Sequence, residues 1–134
     1  MVRLFLLLWT FLLVSCYNKP KSLSETLKSL CFWDLTENDQ VTGGLNSCFQ
    51  FLPDGRCYYY YYHFYNKQKT DSIFPYDDDD VIVQNSWSTI GDTVLIARGT
   101  KLRVLEINSE SIAIIQGFND TVILKKNCNL VKKN

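Results

Sequence analysis

From residue 31 onward, the chain alternates short runs of hydrophobic, β-branched and aromatic residues with compact clusters of turn residues. This pattern is typical of antiparallel β structure, because each run has the length of one strand and each cluster allows the chain to reverse. Short connections favour pairing between neighbouring strands, so the pattern predicts an all-β, up-and-down meander of about eight strands. The eight runs are residues 31–36, 45–52, 56–66, 81–90, 93–98, 101–107, 111–116 and 121–126.

A meander of this size either closes into a small barrel or remains an open sheet. We predict the barrel, because closure removes the exposed strand edges; the alternative is an open sheet covered by a short N-terminal helix. That helix is predicted at residues 22–31, with Ser24 as its N-cap and leucines at helical spacing. Only one connection is long, residues 67–80, and it contains a proline and four consecutive aspartates.

The first fifteen residues have the features of an export signal. Arg3 precedes an apolar run, residues 4–14, which is too short to cross a hydrocarbon core about 30 Å thick. The run ends in "LVSC" at residues 13–16, which resembles the lipobox of bacterial lipoproteins. The resemblance implies cleavage before Cys16, lipidation of its thiol and acylation of its new amino group. The alternative is ordinary signal cleavage nearby, which leaves Cys16 as a free thiol.

The lipobox also implies a location and a domain organisation. Several acyl chains on Cys16 are enough for stable membrane attachment, whereas a single chain is marginal. Tyr17 stands where lipoproteins retained in the inner membrane often carry Asp, so the resemblance implies the outer membrane. The domain can face either the periplasm or the outside of the cell. The chain then divides into a signal peptide at residues 1–15, a lipidated tether at residues 16–23 and one domain at residues 24–134.

Charge and cysteine content restrict the partners of this domain. The whole chain has a net charge of zero at pH 7, so no basic excess predicts a nucleic-acid partner. Beyond Cys16, four cysteines remain, and an even count in an exported chain without a CxxC pair favours disulfides over a metal site. These disulfide candidates are Cys31, Cys48, Cys57 and Cys128.

The pairing of these cysteines depends on one hairpin loop. A four-residue loop at residues 52–55 places Cys48 and Cys57 on the same face of the hairpin, whereas a three-residue loop at residues 53–55 places them on opposite faces. We favour Cys48–Cys57 together with Cys31–Cys128, which ties the start of the domain to its end.

Three segments resemble small bacterial lipocalin-like domains. In "NSWSTIGDTVLIARGTKLRVLEINSESIAII", residues 85–115, a tryptophan strand enters a Gly-Asp turn and hairpins with alternating hydrophobic residues follow. "FQFLPDGRCYYYY" is similar to a hairpin of that family, and "CFWDL" to its opening tryptophan strand, although Cys31 and Phe32 stand where the family more often has glycine. The resemblance implies a compact barrel or half-open cup that is often exported and usually has no known catalysis.

The run "GRCYYYYYHFY", residues 55–65, carries the candidate binding surface. Side chains alternate along a strand, so the even-numbered aromatic residues share one face and the odd-numbered ones the other. One face fills the interior and the other covers the outside, which explains much of the run by packing alone. The functional alternative is an aromatic surface for a partner protein, glycan or peptidoglycan, or the lining of a hydrophobic pocket. The candidates for this role are Tyr58, Tyr59, Tyr60, Tyr61, Tyr62, His63, Trp33 and Trp87.

The chain lacks the motifs of common catalytic sites. His63 has no serine or cysteine at a motif spacing, and there is no nucleophile elbow, P-loop or zinc motif. The aspartates at residues 77–80 lack the spacing of an EF-hand, and a run of like charges is typical of a solvated loop. We therefore predict no enzyme, no cofactor and no metal site.

These features together predict a lipid-anchored binding protein of the cell envelope. The leading hypothesis is a lipocalin-like domain that holds a small apolar ligand or an envelope component within or beside the barrel. The second is a protein-interaction module, of the immunity or inhibitor type, that uses the tyrosine strand and the acidic loop.

Overall fold

The computed structural model describes residues 20–37, 47–75, 85–116 and 120–133, so Cys16 and the predicted signal peptide lie outside the described residues. Within these ranges the all-β prediction is confirmed, since the chain forms ten strands in a single sheet and one short helix. The elements are α1 (Leu23–Leu27), β1 (Phe32–Glu37), β2 (Ser47–Phe51), β3 (Cys57–Tyr65), β4 (Gln68–Pro75), β5 (Trp87–Ile90), β6 (Val94–Ala97), β7 (Thr100–Ile107), β8 (Ser111–Gln116), β9 (Asp120–Asn127) and β10 (Val131–Lys132).

The sheet consists of two meanders joined side by side. Its order is β10-β4-β3-β2-β1-β9-β8-β7-β6-β5, and every neighbouring pair is antiparallel except β10 with β4. Strands β1 to β4 and strands β5 to β9 each pair in chain order, as predicted. The two meanders meet where all six residues of β1 pair with β9, from Phe32 opposite Asn127 to Glu37 opposite Val122.

The sheet curls on itself, but its strand pairing is not closed into a barrel. The outer end of the curl is β5, and a single bridge joins Ser86, just before β5, to Arg56, just before β3. Two backbone hydrogen bonds flank this bridge, from Trp87 N to Gly55 O at 2.9 Å and from Cys57 N to Asn85 O at 3.1 Å. The described pairing at this edge resumes only at Tyr60, where β4 begins to occupy the same edge of β3. We call this incomplete junction the seam.

Two strands were not predicted. Strand β4 lies inside the connection that the sequence presents as a long loop, residues 67–80. A two-residue turn starts it, because Asn66 and Lys67 both adopt positive φ, 48° and 63°, and Tyr65 pairs with Gln68. Such a turn matches the twist of a hairpin but most often contains glycine, so a turn made by Asn and Lys gives little sequence signal. Strand β10 has only two residues and pairs with β4 in parallel.

The helix α1 is shorter than predicted, and its N-cap lies two residues before the predicted one. Its N-cap is Ser22 rather than Ser24, and a capping box joins Ser22 to Glu25. The helix ends at Leu27 and buries Leu23 and Leu27 completely. The backbone N–H of Leu23 donates to Asp92 Oδ1 at 2.8 Å, which fastens the helix to the turn between β5 and β6.

Hydrophobic side chains form two cores, one on each face of the first meander. The main core lies inside the curl and includes side chains of α1 and of every strand from β1 to β9 except β4. The second core, which we call the tyrosine cluster, lies on the opposite face of β1 to β4 and contains Phe32, Cys48, Tyr60, Tyr62, Ile73 and Leu130. The strands β1 to β3 are therefore buried on both faces, which accounts for the near-continuous hydrophobicity of β3.

One of the two predicted disulfides is present. The disulfide Cys31–Cys128 is confirmed and joins the start of β1 to the end of β9. The pairing of Cys48 with Cys57 is wrong, because both are free and buried. Leu52 pairs with Arg56, so the hairpin loop has three residues and the two thiols point to opposite faces, Cys57 into the main core and Cys48 into the tyrosine cluster.

Removal of the disulfide is expected to destabilise the domain strongly. The two cysteines are 97 residues apart, and cross-links that close loops of this length stabilise proteins by about 2–5 kcal/mol. Urea unfolding of a Cys31→Ser, Cys128→Ser double variant should show a loss of this size. Reductant should have the same effect on the wild-type protein and none on the double variant. A further loss when the double variant is reduced would show that Cys48 and Cys57 pair after all.

Candidate functional site

The strand β3 is buried at its start and exposed at its end. Tyr60 and Tyr62 are only 3% and 4% exposed, whereas Tyr61, Phe64 and Tyr65 are 44%, 40% and 68% exposed. In the part of the chain that the structure describes, β2 accompanies β3 as far as Tyr61, and beyond that residue the described neighbour is β4. The end of the β3–β4 hairpin therefore extends past both cores.

The odd-numbered side chains at the start of β3 pack into or against the main core. Cys57 is fully buried there, and the half-buried Tyr59 packs against Phe49 with ring centroids 5.0 Å apart. The hydroxyl of Tyr59 donates to Ser47 Oγ. The guanidinium of Arg98 lies 5.5 Å from the centroid of the Tyr59 ring. Tyr59 thus seals the edge of the core and faces the seam.

The even-numbered face of β3 is covered by the C-terminal segment. Leu130 is buried in the tyrosine cluster, and the Tyr60 ring packs edge-on against Phe32 at 5.5 Å. Val131 and Lys132 pair with β4, which places Lys132 Nζ 5.5 Å from the centroid of the Tyr60 ring. Tyr60 and Tyr62, both candidates for an exposed surface, are therefore packing residues.

The two tryptophans are core residues and do not form part of an exposed surface. Trp33 is fully buried in the main core, and Trp87 is 8% exposed. The Trp87 ring lies edge-on against Phe51 at 5.6 Å, and its Nε1 donates to Leu52 O at 2.8 Å across the seam. The Nε1 of Trp33 finds no hydrogen-bond partner among the described residues. Both tryptophans serve the packing of the curl.

A buried polar group that sequence reasoning missed lies beside Tyr62. Asp34 on β1 accepts hydrogen bonds from the Tyr62 hydroxyl and from Asn127 Nδ2, the latter at 3.0 Å. Lys69 Nζ lies 4.0 Å from Asp34 Oδ2 and 3.5 Å from the centroid of the Tyr62 ring. Burial raises the pKa of Asp34, although Asn127 and Lys69 oppose the rise, and burial also lowers the pKa of Lys69. The group ties β1, β3, β4 and β9 together, and its one sequence signal is an aspartate between two hydrophobic residues of a strand.

The pKa of Asp34 predicts a pH-dependent difference between the wild-type protein and an Asp34→Asn variant. Because the pKa is higher in the folded than in the unfolded chain, the contribution of Asp34 to stability is greatest at low pH and falls as pH rises above about 3.8. The free energy of unfolding of the wild type, minus that of the variant, should therefore be larger at pH 4 than at pH 7. Urea titrations at the two pH values measure this difference, because the other carboxylates are common to both proteins.

An Asp120→Asn variant, at an exposed position, controls for the loss of one carboxylate. A difference for Asp34→Asn that grows from pH 4 to pH 7 would mean that the attraction of Lys69 outweighs the effect of burial.

The residues of β2 and β3 do not form a nucleophilic site. Burial raises the pKa of Cys57 to about 12 and that of Cys48 further, so both thiols are protonated near neutral pH and are weak nucleophiles. His63 is exposed and packs edge-on against Phe74, with centroids 5.6 Å apart. In the part of the chain that the structure describes, no three His, Cys, Asp or Glu side chains are placed to hold a metal ion, and no helix is long and apolar enough to cross a membrane. The aspartates at residues 77–80 lie outside that part.

The seam opens into a cleft of about 390 Å³, which we call the seam cleft. It lies between the start of β3, the end of β4 and the residue that precedes the bridge to β5. Sequence reasoning identified its tyrosines but missed its three cations, Arg56, Arg98 and Lys132. A signal existed for Arg56, which alternates with Tyr58 and Tyr60, but not for Lys132, whose position depends on the C-terminal strand. The described lining residues are Gln50, Leu52, Arg56, Tyr58, Tyr59, Tyr60, Pro75, Asn85, Arg98 and Lys132.

Comparison with known proteins assigns no family and no function to this chain. No family model, no curated protein and no solved structure matches the chain. The function is therefore inferred from the chemistry of the residues themselves.

Proposed function

We propose that the protein is an exported, lipid-anchored binding protein of the cell envelope whose contact surface for a partner protein is the end of the β3–β4 hairpin. One observation carries this proposal: aromatic side chains stay exposed there although two cores lie next to them. We call this surface the aromatic tip; it consists of Tyr61, His63, Phe64, Tyr65 and Phe74.

The rings of the aromatic tip are held in place by the hairpin. Tyr61 lies opposite Phe74 in the β3–β4 pairing, with ring centroids 6.5 Å apart, and His63 packs edge-on against the same ring. A register shift between Tyr62 and Phe64 re-aims the strand at this point. Rigid aromatic side chains on a paired strand lose little conformational entropy on binding, which is why such residues dominate the energetics of protein interfaces.

The packing of the curl supports a protein partner over an apolar ligand inside it. The side chains of Trp33, Phe51 and Leu124 are fully buried in the main core. These side chains occupy the space that a small apolar ligand would need. An interaction module of the immunity or inhibitor type, in which a projecting hairpin contacts the partner, is the form of the proposal that this packing favours.

The lipocalin-like assignment is part of the same proposal. Its support is the curled sheet around one core, together with the strand of Trp87 that runs into the turn at Gly91 and Asp92. The incomplete pairing at the seam favours the half-open cup over the closed barrel among the forms that the resemblance implies.

Lipid attachment at Cys16 predicts that the protein incorporates fatty acid at this residue. In bacteria grown with an alkyne-bearing fatty acid, the wild-type protein should be labelled and a Cys16→Ser variant should not. A Ser15→Ala variant keeps a small residue before the cysteine and should remain labelled. Equal labelling of the Cys16→Ser variant would contradict the lipobox.

The aromatic tip predicts a specific cross-link to one partner protein. A photo-reactive amino acid at Tyr65 should give a discrete cross-linked product in cells, whereas the same amino acid at Leu105, an exposed residue of β7, should not. Adding Phe64→Ala to the Tyr65 probe should reduce the product by about tenfold or more, because aromatic anchors dominate binding energy. The same substitution should lower the free energy of unfolding by about 1 kcal/mol, because Phe64 is 40% exposed and part of its ring is covered. A product that forms equally at both probe positions, or that survives Phe64→Ala unchanged, would contradict the proposal.

A further inference from the structure

The seam cleft gathers positive charge beside tyrosine rings. Three of its described lining residues are cationic, and none of these lining residues is acidic. Each cation lies over a tyrosine ring, with distances to the ring centroid of 6.0 Å for Arg56 and Tyr58, 5.5 Å for Arg98 and Tyr59, and 5.5 Å for Lys132 and Tyr60. Contacts at these distances orient the cations but are worth only about 0.5–1 kcal/mol at exposed sites. All three cations line the same cleft.

Arg56 keeps hydrogen-bond donors for a ligand although it has a partner on one side. Its Nε donates to Asp54 Oδ2 at 2.6 Å, and its Nη1 lies 3.4 Å from the Tyr58 hydroxyl. A guanidinium has five N–H donors in a planar fork, so these two contacts leave donors for a further anion. Asp54 is not among the residues that line the cleft.

Neutral polar groups accompany the charges. The Tyr60 hydroxyl donates to Gln50 Oε1 at 3.2 Å, and the half-buried Tyr58 also lines the cleft. The cleft volume of about 390 Å³ falls in the size class of small-molecule sites. The lining therefore combines tyrosine side chains with cations.

We propose that the seam cleft binds a small ring-bearing organic anion. Arg56 and Lys132 would hold its phosphate or carboxylate group, since guanidinium and ammonium groups bind both anions through charge-assisted hydrogen bonds. The ring of the ligand would pack against Tyr58. The site is separate from the aromatic tip, because Tyr58 and Tyr60 lie at the start of β3 and the tip lies at its end. The inference therefore does not depend on the proposed protein partner.

Isothermal titration calorimetry with the full chain in detergent tests this site. The probes are phenyl phosphate, benzoate, inorganic phosphate and phenol. We expect phenyl phosphate or benzoate to bind more tightly than inorganic phosphate and far more tightly than phenol, and the affinity to fall as salt rises. The stronger of the two aromatic anions identifies the charged group that the site prefers.

Substitutions locate the binding. Lys132→Gln should weaken the preferred probe by about tenfold, the usual effect of one charge-assisted contact worth about 1.4 kcal/mol. Lys101→Gln removes the same charge from an exposed position of β7 and should leave the affinity unchanged. Both lysines are exposed, so neither substitution threatens the fold.

Binding of an aromatic anion by the wild-type chain, with the expected effects of Lys132→Gln and Lys101→Gln, supports the site. The proposal is overturned if no probe binds, if phenol binds as tightly as phenyl phosphate, or if the two lysine substitutions have equal effects.

Discussion

The pairing of β1 with β9 is the interaction on which the rest of the structure depends. It joins two meanders whose strands each pair in chain order, and it runs the whole length of β1. The disulfide between Cys31 and Cys128 joins the same pair of strands at one end. The start and the end of the domain are therefore linked covalently as well as by hydrogen bonds. With this junction fixed, the sheet curls around the main core and the C-terminal segment is carried to the outer face of β3.

A second consequence of the junction is competition for one edge of β3. Both β4 and the segment before β5 approach this edge, and β4 takes all of it from Tyr60 onward. Among the described residues, the segment before β5 meets this edge at the bridge between Ser86 and Arg56. The seam cleft lies where the described pairing ends, and the aromatic tip lies where β3 and β4 continue beyond the described ends of the neighbouring strands.

The sequence allows the β class and the faces of β3 to be predicted, but not the neighbours of each face. Alternation correctly separates Tyr60 and Tyr62 from Tyr59 and Tyr61, because a strand has a period of two whatever surrounds it. Whether a face is exposed depends on long-range partners. Tyr60 is buried in one cluster with Leu130, seventy residues later in the chain, which the disulfide and β10 hold near this face. No local pattern around a two-residue strand reports such a contact.

The errors of the sequence analysis have equally local causes. The loop between Cys48 and Cys57 differs by one residue between the two alternatives, and one residue moves a side chain to the other face of the sheet. The turn of Asn66 and Lys67 concealed β4, and without β4 the acidic connection looked longer than it is.

The pair of Asp34 and Lys69, beside the tyrosine cluster, favours one register of β4. Each is partly desolvated, so burial raises the pKa of the acid and lowers that of the base, and each charge is unfavourable without the other. Asp34 belongs to β1, the junction strand, and Lys69 to β4, the strand that occupies the edge of β3. A pair that costs free energy when either member is removed favours the one register in which β4 lies beside Tyr62. The same register sets where β4 begins to cover β3, and it therefore determines how much of that edge remains for the seam.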